Sequence, residues 1–387
     1  MNAPDDFLAI RDEMIALRRQ IHAHPELGYE EFMTSDLVAQ RLLDWGYEVH
    51  RGLAGTGVVG TLKCGDGPRR IGLRADMDAL PVHERTGLPY ASVTPGKMHA
   101  CGHDGHTAML LAAAKELART RDFDGTLHLI FQPAEEGLAG ARRMLEEGLL
   151  ERFPCDAVFA MHNMPGYPAG HLGFRAGPFM ASADQVTVRV IGHGGHGAMP
   201  HMTIDPVVVC SAIVLALQTV VSRNVAPLDM AVITVGAIHA GEASNVIPDE
   251  ACMNISVRAL RPAVRDELER RITQVIESQA AVYGARAEVN YEASYPVLVN
   301  DAEMTAFAQD VAREWLGDDR LIADLQPFTG SEDFAWILRQ CRGCYLIIGN
   351  GDGAGSCMVH NPGYDFNDDI LMTGARYWVR LVERFLA

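Results

Sequence analysis

The sequence predicts an α/β protein: a mixed, largely parallel sheet flanked by helices, interrupted by an inserted ferredoxin-like α+β domain. Three observations carry this expectation. Strand and helix patterns alternate through the first half, the order changes to β-α-β-β-α-β from about Asp184, and the first pattern returns after Pro296. At 387 residues the chain is also longer than one ordinary core supports. The expected division is a discontinuous domain, 1–183 and 297–387, around an insertion at 184–296.

Taken in order, Phe7 to Ala23 and Met33 to Leu43 carry apolar residues at helical spacing. Gly57 to Leu62 and Ile71 to Ala75 read as strands, followed by a helix from about Asp104 to Ala118. A strand from Thr126 to Gln132, a helix from Ala139 to Glu147 and a strand from Ala157 to Met161 continue the alternation. Strands that alternate with helices argue for a parallel sheet covered on both faces.

In the insertion, Gln185 to Ile191 alternates as a half-exposed strand does, and Pro206 to Val221 is a helix with proline in its first turn. Strands at Met230 to Ile238 and Ala251 to Leu260, a long amphipathic helix from Pro262 to Tyr283 and a strand at Arg286 to Tyr291 complete the split βαβ order. A helix from Ala302 to Trp315, a strand from Tyr345 to Gly349 and a helix from Ile370 to Phe385 then resume the first domain.

Composition narrows the function. With 33 basic against 50 acidic residues the net charge is −17, which repels phosphate backbones and argues against nucleic acid as partner. Met1 to Ile10 show no basic-then-apolar signal pattern, and no apolar run reaches the roughly 20 residues of a membrane span. Pro206 to Val221 comes nearest and reads as a buried helix; no membrane partner is expected, and the expected location is the cytoplasm. The eight cysteines form no secreted disulfide framework, and Cys341-Arg-Gly-Cys344 runs straight into a strand, so a buried structural role is expected for that pair.

The chemistry concentrates at element ends. Met98-His-Ala-Cys-Gly-His-Asp-Gly-His106 puts four possible metal ligands in eight residues just before an apolar helix. The N-terminus of that helix is expected to stabilise a thiolate at Cys101 and lower its pKa. Phe131-Gln-Pro-Ala-Glu-Glu-Gly137 ends a buried strand with adjacent carboxylates, which repel unless a cation or a shared proton joins them. Met161-His162-Asn163 ends another strand, and Met358-Val-His-Asn-Pro-Gly363 lies in a loop after the last. In parallel sheets ligands bind beyond the carboxyl ends of the strands, so Asp76, Asp78, Glu135, Glu136, His162 and His360 are expected to share one cleft. On this ground alone Glu135 and Glu136 are equivalent, and His99 and His106 stay candidates. Serine-hydrolase chemistry is not expected, because Gly330-Ser-Glu lacks the GxSxG elbow. Nor does Gly349-Asn-Gly-Asp-Gly-Ala-Gly355 carry the GK[ST] of a phosphate loop.

These segments, with Arg74-Ala-Asp-Met-Asp-Ala-Leu-Pro81, resemble the metal-dependent aminoacylase/carboxypeptidase family of peptidases. The resemblance is strongest to its amidohydrolase branch, which includes hippurate hydrolases and hydrolases of auxin–amino-acid conjugates. Gly192-His-Gly-Gly-His-Gly-Ala-Met-Pro-His201, Ala243-Ser-Asn-Val-Ile-Pro248, Gly330-Ser-Glu-Asp-Phe334 and Val359-His-Asn-Pro362 extend it over nearly the whole chain.

The resemblance implies a zinc-peptidase-like fold and two divalent metal ions, zinc or manganese first and cobalt or nickel as alternatives. Cys101, His103, Glu136, His162 and His360 become the ligands, with Cys101 the bridge, and Glu135 becomes the general base. His99 and His106 then take supporting roles, and Asp78 supports a ligand. The implied substrate is a small N-acyl amino acid. Two cations lower the pKa of a water held between them, Glu135 takes its proton, and the same Glu135 protonates the leaving amine. His196 matches a lid histidine that holds the oxyanion, often from the partner subunit of a homodimer formed through the inserted domain. Asn245 and Arg258 match positions that contact the substrate carboxylate; for Arg258 the alternative is a surface ion pair. A dipeptidase or exopeptidase is the nearest rival function, and a metal-bound protein without catalysis a more distant one.

Overall fold

The structure, a computed structural model, describes residues 7–353 and 356–387. Residues 1–6, and two positions of the glycine-rich loop 349–355, lie outside the described residues. The chain divides into two compact units. The first comprises the chain up to Gly177 with Asn300–Gln326 and Trp336–Ala387, and the second comprises Pro178–Val299 with Pro327–Ala335.

The first unit is built on an eight-stranded mixed sheet. Its order is Glu48–Leu53, Gly57–Cys64, Gly125–Gln132, Arg70–Asp76, Ala157–Pro165, Gly343–Gly351, Leu172–Gly173 and Leu321–Ile322. The four central strands, from Gly125–Gln132 to Gly343–Gly351, run parallel, and two antiparallel strands extend the sheet beyond Gly125–Gln132. The central strands are apolar on both faces, as a covered parallel sheet requires. The half-exposed strand Glu48–Leu53 escapes the sequence reading because its burial follows no alternation.

Connectivity fixes where a ligand can bind. From Arg70–Asp76 the chain passes through the helix His103–Thr120 to one neighbouring strand, and it then returns on the other side as Ala157–Pro165. This reversal is a topological switch point, which opens a crevice at the carboxyl ends. Pairing between the two strands stops at Arg74↔Ala160, whereas Ala157–Pro165 stays paired to Gly343–Gly351 through Ile347↔His162 and beyond. His162 therefore lies inside a strand that runs on to Pro165, not at its end as the sequence suggested, but it is released on the side facing the crevice.

The helix His103–Thr120 is buried around most of its circumference, its middle turns being Ala108 to Ala114, residues of high helix propensity or small volume. Its entry depends on Gly102, at φ 91°, where a Cβ would come within 2.2 Å of Asn163 Oδ1.

The second unit is a four-stranded antiparallel sheet in the order Ala231–Ala240, Glu250–Ala259, Ala183–Ile191, Arg286–Tyr295. With the helices Pro206–Asn224 and Pro262–Val282 this is the ferredoxin-like arrangement. Alternate residues Val186, Val188 and Val190 meet Ile213, Leu217, Ile272 and Ile276 in its core. Asp205 caps the first helix by accepting the Val207 N–H, with Pro206 at the first helical position. Pro206–Asn224 is long and apolar enough to cross a membrane by length and composition, but Val209, Cys210, Ile213, Leu217 and Val220 are buried in this core.

Candidate metal centre

Five of the side chains expected at the centre converge at the carboxyl end of the parallel strands. Cys101 and His103 flank Gly102 at the start of the long helix, Glu136 lies in the turn after Gly125–Gln132, and His162 projects from the released strand. His360 comes from the loop after Gly343–Gly351. Its backbone sits at φ 67°, and its N–H donates to the Ala100 carbonyl at 2.6 Å, next to Cys101.

Donor atoms of Cys101, His103 and His162 lie within 4.8 Å of one another, as do those of Cys101, Glu136 and His360. The two triads share Cys101. Cys101 Sγ is 3.2 Å from His162 Nε2, and Glu136 Oε1 is 3.3 Å from His360 Nε2 and 3.9 Å from His103 Nε2. His103, Glu135 and Glu136 form a further group within the same limit. Glu135 is buried beside Glu136 in sequence and points into this group.

Supporting contacts orient the rings. Asp78 Oδ1 takes His103 Nδ1 at 3.1 Å, while its Oδ2 accepts the Glu136 N–H at 2.9 Å. His162 Nδ1 bonds the Asn163 carbonyl, leaving Nε2 toward Cys101. His106 does not join the triads: it bridges Asp76 Oδ1 at 2.6 Å and Asn163 Oδ1 at 2.7 Å. His99 is buried among them, and neither ring nitrogen has a hydrogen-bond partner among the described residues. Asp76, which sequence reasoning placed at this edge without a role, is held by Arg74 at 2.7 Å and lies 3.7 Å from His103 Nε2. Its role could be anticipated only from the register that sets Asp76 against Gln132, since Arg74 Nε also donates to Gln132.

The residues fit a cation on chemical grounds. His103 Nε2 and Glu136 Oε1 are buried and have no hydrogen-bond partner among the described residues, a costly state for atoms with this donor or acceptor capacity. Burial alone would push His103 down, yet Asp76, Asp78 and Glu136 raise it to about 10, so the ring is drawn toward carrying a positive charge that a metal would supply instead. Burial and the neighbouring His106 hold His162 well below its ordinary range, in the neutral form that ligates metal. The expectation of a lowered Cys101 pKa is overturned. Burial, followed by Glu136, Glu135 and Asp76, pushes this thiol well up, because low dielectric and three carboxylates outweigh the helix N-terminus. The thiolate therefore needs a cation beside it.

The remaining expected residues belong to the second unit. His196 lies in a short ribbon, Gly195–His196 paired with Val246–Ile247, so Asn245 is next to it along the turn. Both are exposed, and the Asn245 carbonyl accepts the Gly197 N–H at 2.8 Å. Arg258 is half-buried on Glu250–Ala259 and donates to Ser331 Oγ at 3.0 Å. Burial lowers its pKa while the nearby Asp184 works in the opposite direction.

Residues 72–384 match the profile of peptidase family M20/M25/M40. Hippurate hydrolase of Campylobacter jejuni is 43% identical over 386 residues, spanning 100% of both chains. Thermostable carboxypeptidase 1 of Saccharolobus solfataricus is 38% identical, over 98% of this chain and 97% of its own. Among solved structures, the Bacillus subtilis YXEP protein, a dinuclear metal-binding peptidase of family M20, aligns with a TM-score of 0.85 and 34% identity, covering 98% of this chain and 99% of that one.

Proposed function

The chain belongs to peptidase family M20/M25/M40 and is a hydrolase, and from that premise we propose that it is a two-metal amidohydrolase cleaving the amide bond of N-acyl amino acids. The observation that carries the reading is the pair of donor triads sharing Cys101, with buried Glu135 adjoining them. Cys101, His103, Glu136, His162 and His360 would hold two divalent cations. A thiolate with imidazoles favours zinc, and the imidazole and carboxylate donors also suit manganese. When bound, the cations supply Lewis acidity and a water of lowered pKa.

The protein's own part follows from placement. Glu135, not needed as a ligand, accepts the proton of the attacking water and delivers it to the departing amine nitrogen. Asp78 keeps His103 and Glu136 in fixed orientation through its two oxygens. His196 is proposed to hold the oxyanion as the carbonyl becomes tetrahedral. Arg258 and Asn245 are proposed to receive the substrate carboxylate; the guanidinium has donors beyond the one spent on Ser331. Similarity to hippurate hydrolase supports an N-acyl amino acid. Similarity to thermostable carboxypeptidase 1 supports a second reading, hydrolysis of short peptides at the same centre.

We further propose a homodimer through the second unit. Val207, Val208 and Leu215 on the outer face of Pro206–Asn224 and Val232 and Ile238 on the sheet's edge strand are exposed apolar groups within that unit. A cytoplasmic location accords with eight cysteines that are all free thiols.

The test is Glu135→Gln, which keeps size and removes the base. Hydrolysis of N-benzoylglycine should fall by about 1,000-fold or more while bound metal, measured by elemental analysis, stays at the wild-type level. Full activity in that variant would refute the mechanism.

A further inference from the structure

Glu31 is fully buried and forms no salt bridge among the described residues. It directly precedes the helix Phe32–Asp44 but does not cap it. That work is done by Glu26, whose carboxylate accepts the N–H groups of Met33 and Thr34, both at 2.9 Å. Instead Glu31 Oε2 accepts the Thr56 hydroxyl at 2.6 Å and Oε1 accepts the Ala134 N–H at 2.8 Å.

The second contact lies one residue from Glu135. Ala134 is held at φ 55°, in the left-handed region that a residue with a Cβ adopts only when its surroundings impose it. On the other side of Glu135, the Glu136 N–H is taken by Asp78 Oδ2 at 2.9 Å. The N–H groups of the two residues that flank Glu135, Ala134 and Glu136, are thus each gripped by a carboxylate. The same turn is closed by Gly137 N–H to the Glu135 carbonyl at 2.8 Å and by Gly140 N–H to the Ala134 carbonyl at 2.9 Å.

We propose that Glu31 is a positioning residue for Glu135: with Asp78 it clamps the turn Pro133–Gly137 so that the Glu135 carboxylate faces the donor triads. The inference rests on Glu135 acting as the general base. Its physical logic is that a buried carboxylate without a cation is retained for geometry against stability. Burial, with Asp78 nearby, raises Glu31 to about 7, so its charged form is disfavoured in the fold. Above that pH the folded protein carries a cost that a neutral side chain would not.

Glu31→Gln keeps an acceptor oxygen toward Ala134, and Glu31→Met has similar length with none. Expected for Glu31→Met is a kcat for N-benzoylglycine about 10- to 100-fold below wild type, with KM within about threefold and metal content unchanged. Glu31→Gln should keep at least about a third of wild-type kcat, and at pH 8 should melt no lower than wild type. By amide hydrogen exchange the Ala134 N–H should exchange at least about tenfold faster in Glu31→Met and stay protected in Glu31→Gln. If Glu31→Met does not fold, Glu31→Asp takes its place, since the shorter side chain withdraws from Ala134 and should lower kcat in the same way.

Wild-type kcat in the Met or Asp variant, an unprotected Ala134 amide in wild type, or equal losses in Gln and Met would overturn the proposal. A wild-type enzyme that cuts no amide would instead refute the proposed function, and the exchange measurement would still decide whether the clamp exists.

Discussion

The carboxyl edge of the large sheet and the His196 ribbon of the second unit are built in opposite ways. At the sheet edge Cys101, His103, Glu135 and His162 are buried, fixed by strand register and by Asp78, Asp76 and Asn163, and two of the donor atoms there, His103 Nε2 and Glu136 Oε1, have no hydrogen-bond partner among the described residues. In the ribbon His196 and Asn245 are exposed, held by backbone bonds of the two-stranded Gly195–His196 and Val246–Ile247 pair. The first arrangement keeps buried donor atoms ready for a cation; the second is an exposed ribbon tied to Asp249 through the Gly192 and Gly194 N–H groups and to Ile204 through His193. In the proposed function the edge holds the cations and the general base, and the ribbon carries the proposed oxyanion donor His196.

Variants that break the contrast should separate the two regions by readout. The largest effect is expected at the edge. Cys101→Ser removes the donor common to both triads, so metal affinity should fall by at least about 100-fold, more than outer partners alone are worth, and activity with it; titration against a chelator measures this. In the ribbon, His196→Ala should leave metal affinity unchanged and lower kcat by about 100-fold, the usual cost of one oxyanion donor. Loss of metal in that variant would dissolve the distinction. Arg258→Ala should act mainly on substrate binding, raising KM by about tenfold with metal intact, in keeping with one charge-assisted hydrogen bond. An unaltered KM would remove Arg258 from the carboxylate subsite.

A smaller effect sharpens the description of the buried edge. Under the helix that carries His103, burial works against charge on His22, but Asp104 at 2.8 Å and Glu84 overcome it and raise the ring from 6.5 to about 9. A group raised in the fold contributes its full stability below its unfolded value and loses it as pH rises through the folded one. Thermal stability should therefore decline between about pH 6.5 and pH 9, and His22→Gln should flatten that slope. A wild-type slope in the variant would assign the decline to other groups.

How much of this was legible follows the same division. The alternation of strand and helix announced the covered sheet, and its connectivity rule brought Glu136, His162 and His360 to one edge before any contact was known. The split βαβ order of the insertion was equally plain, because its strands alternate in burial and its helices begin at Pro206 and Pro262. Choosing Glu135 over Glu136 as base was beyond the residue pattern and came from family resemblance. The environment of Cys101 was misjudged, since a local helix-terminus argument cannot see three carboxylates arriving from distant strands and turns. Glu31 was invisible for a similar reason. In sequence Glu30 and Glu31 are twins, but Glu30 meets Lys97 at the surface while Glu31 turns inward to Ala134.

The account stands most directly on hydrolysis before and after metal removal. N-benzoylglycine, N-acetyl amino acids and dipeptides would be assayed on the purified protein, on the protein stripped by a chelator, and after return of zinc or manganese. The prediction is that the N-acyl amino acids are cut, that chelation abolishes cleavage, and that restored activity tracks about two metal ions per chain. Amide hydrolysis that survives complete metal removal would contradict it.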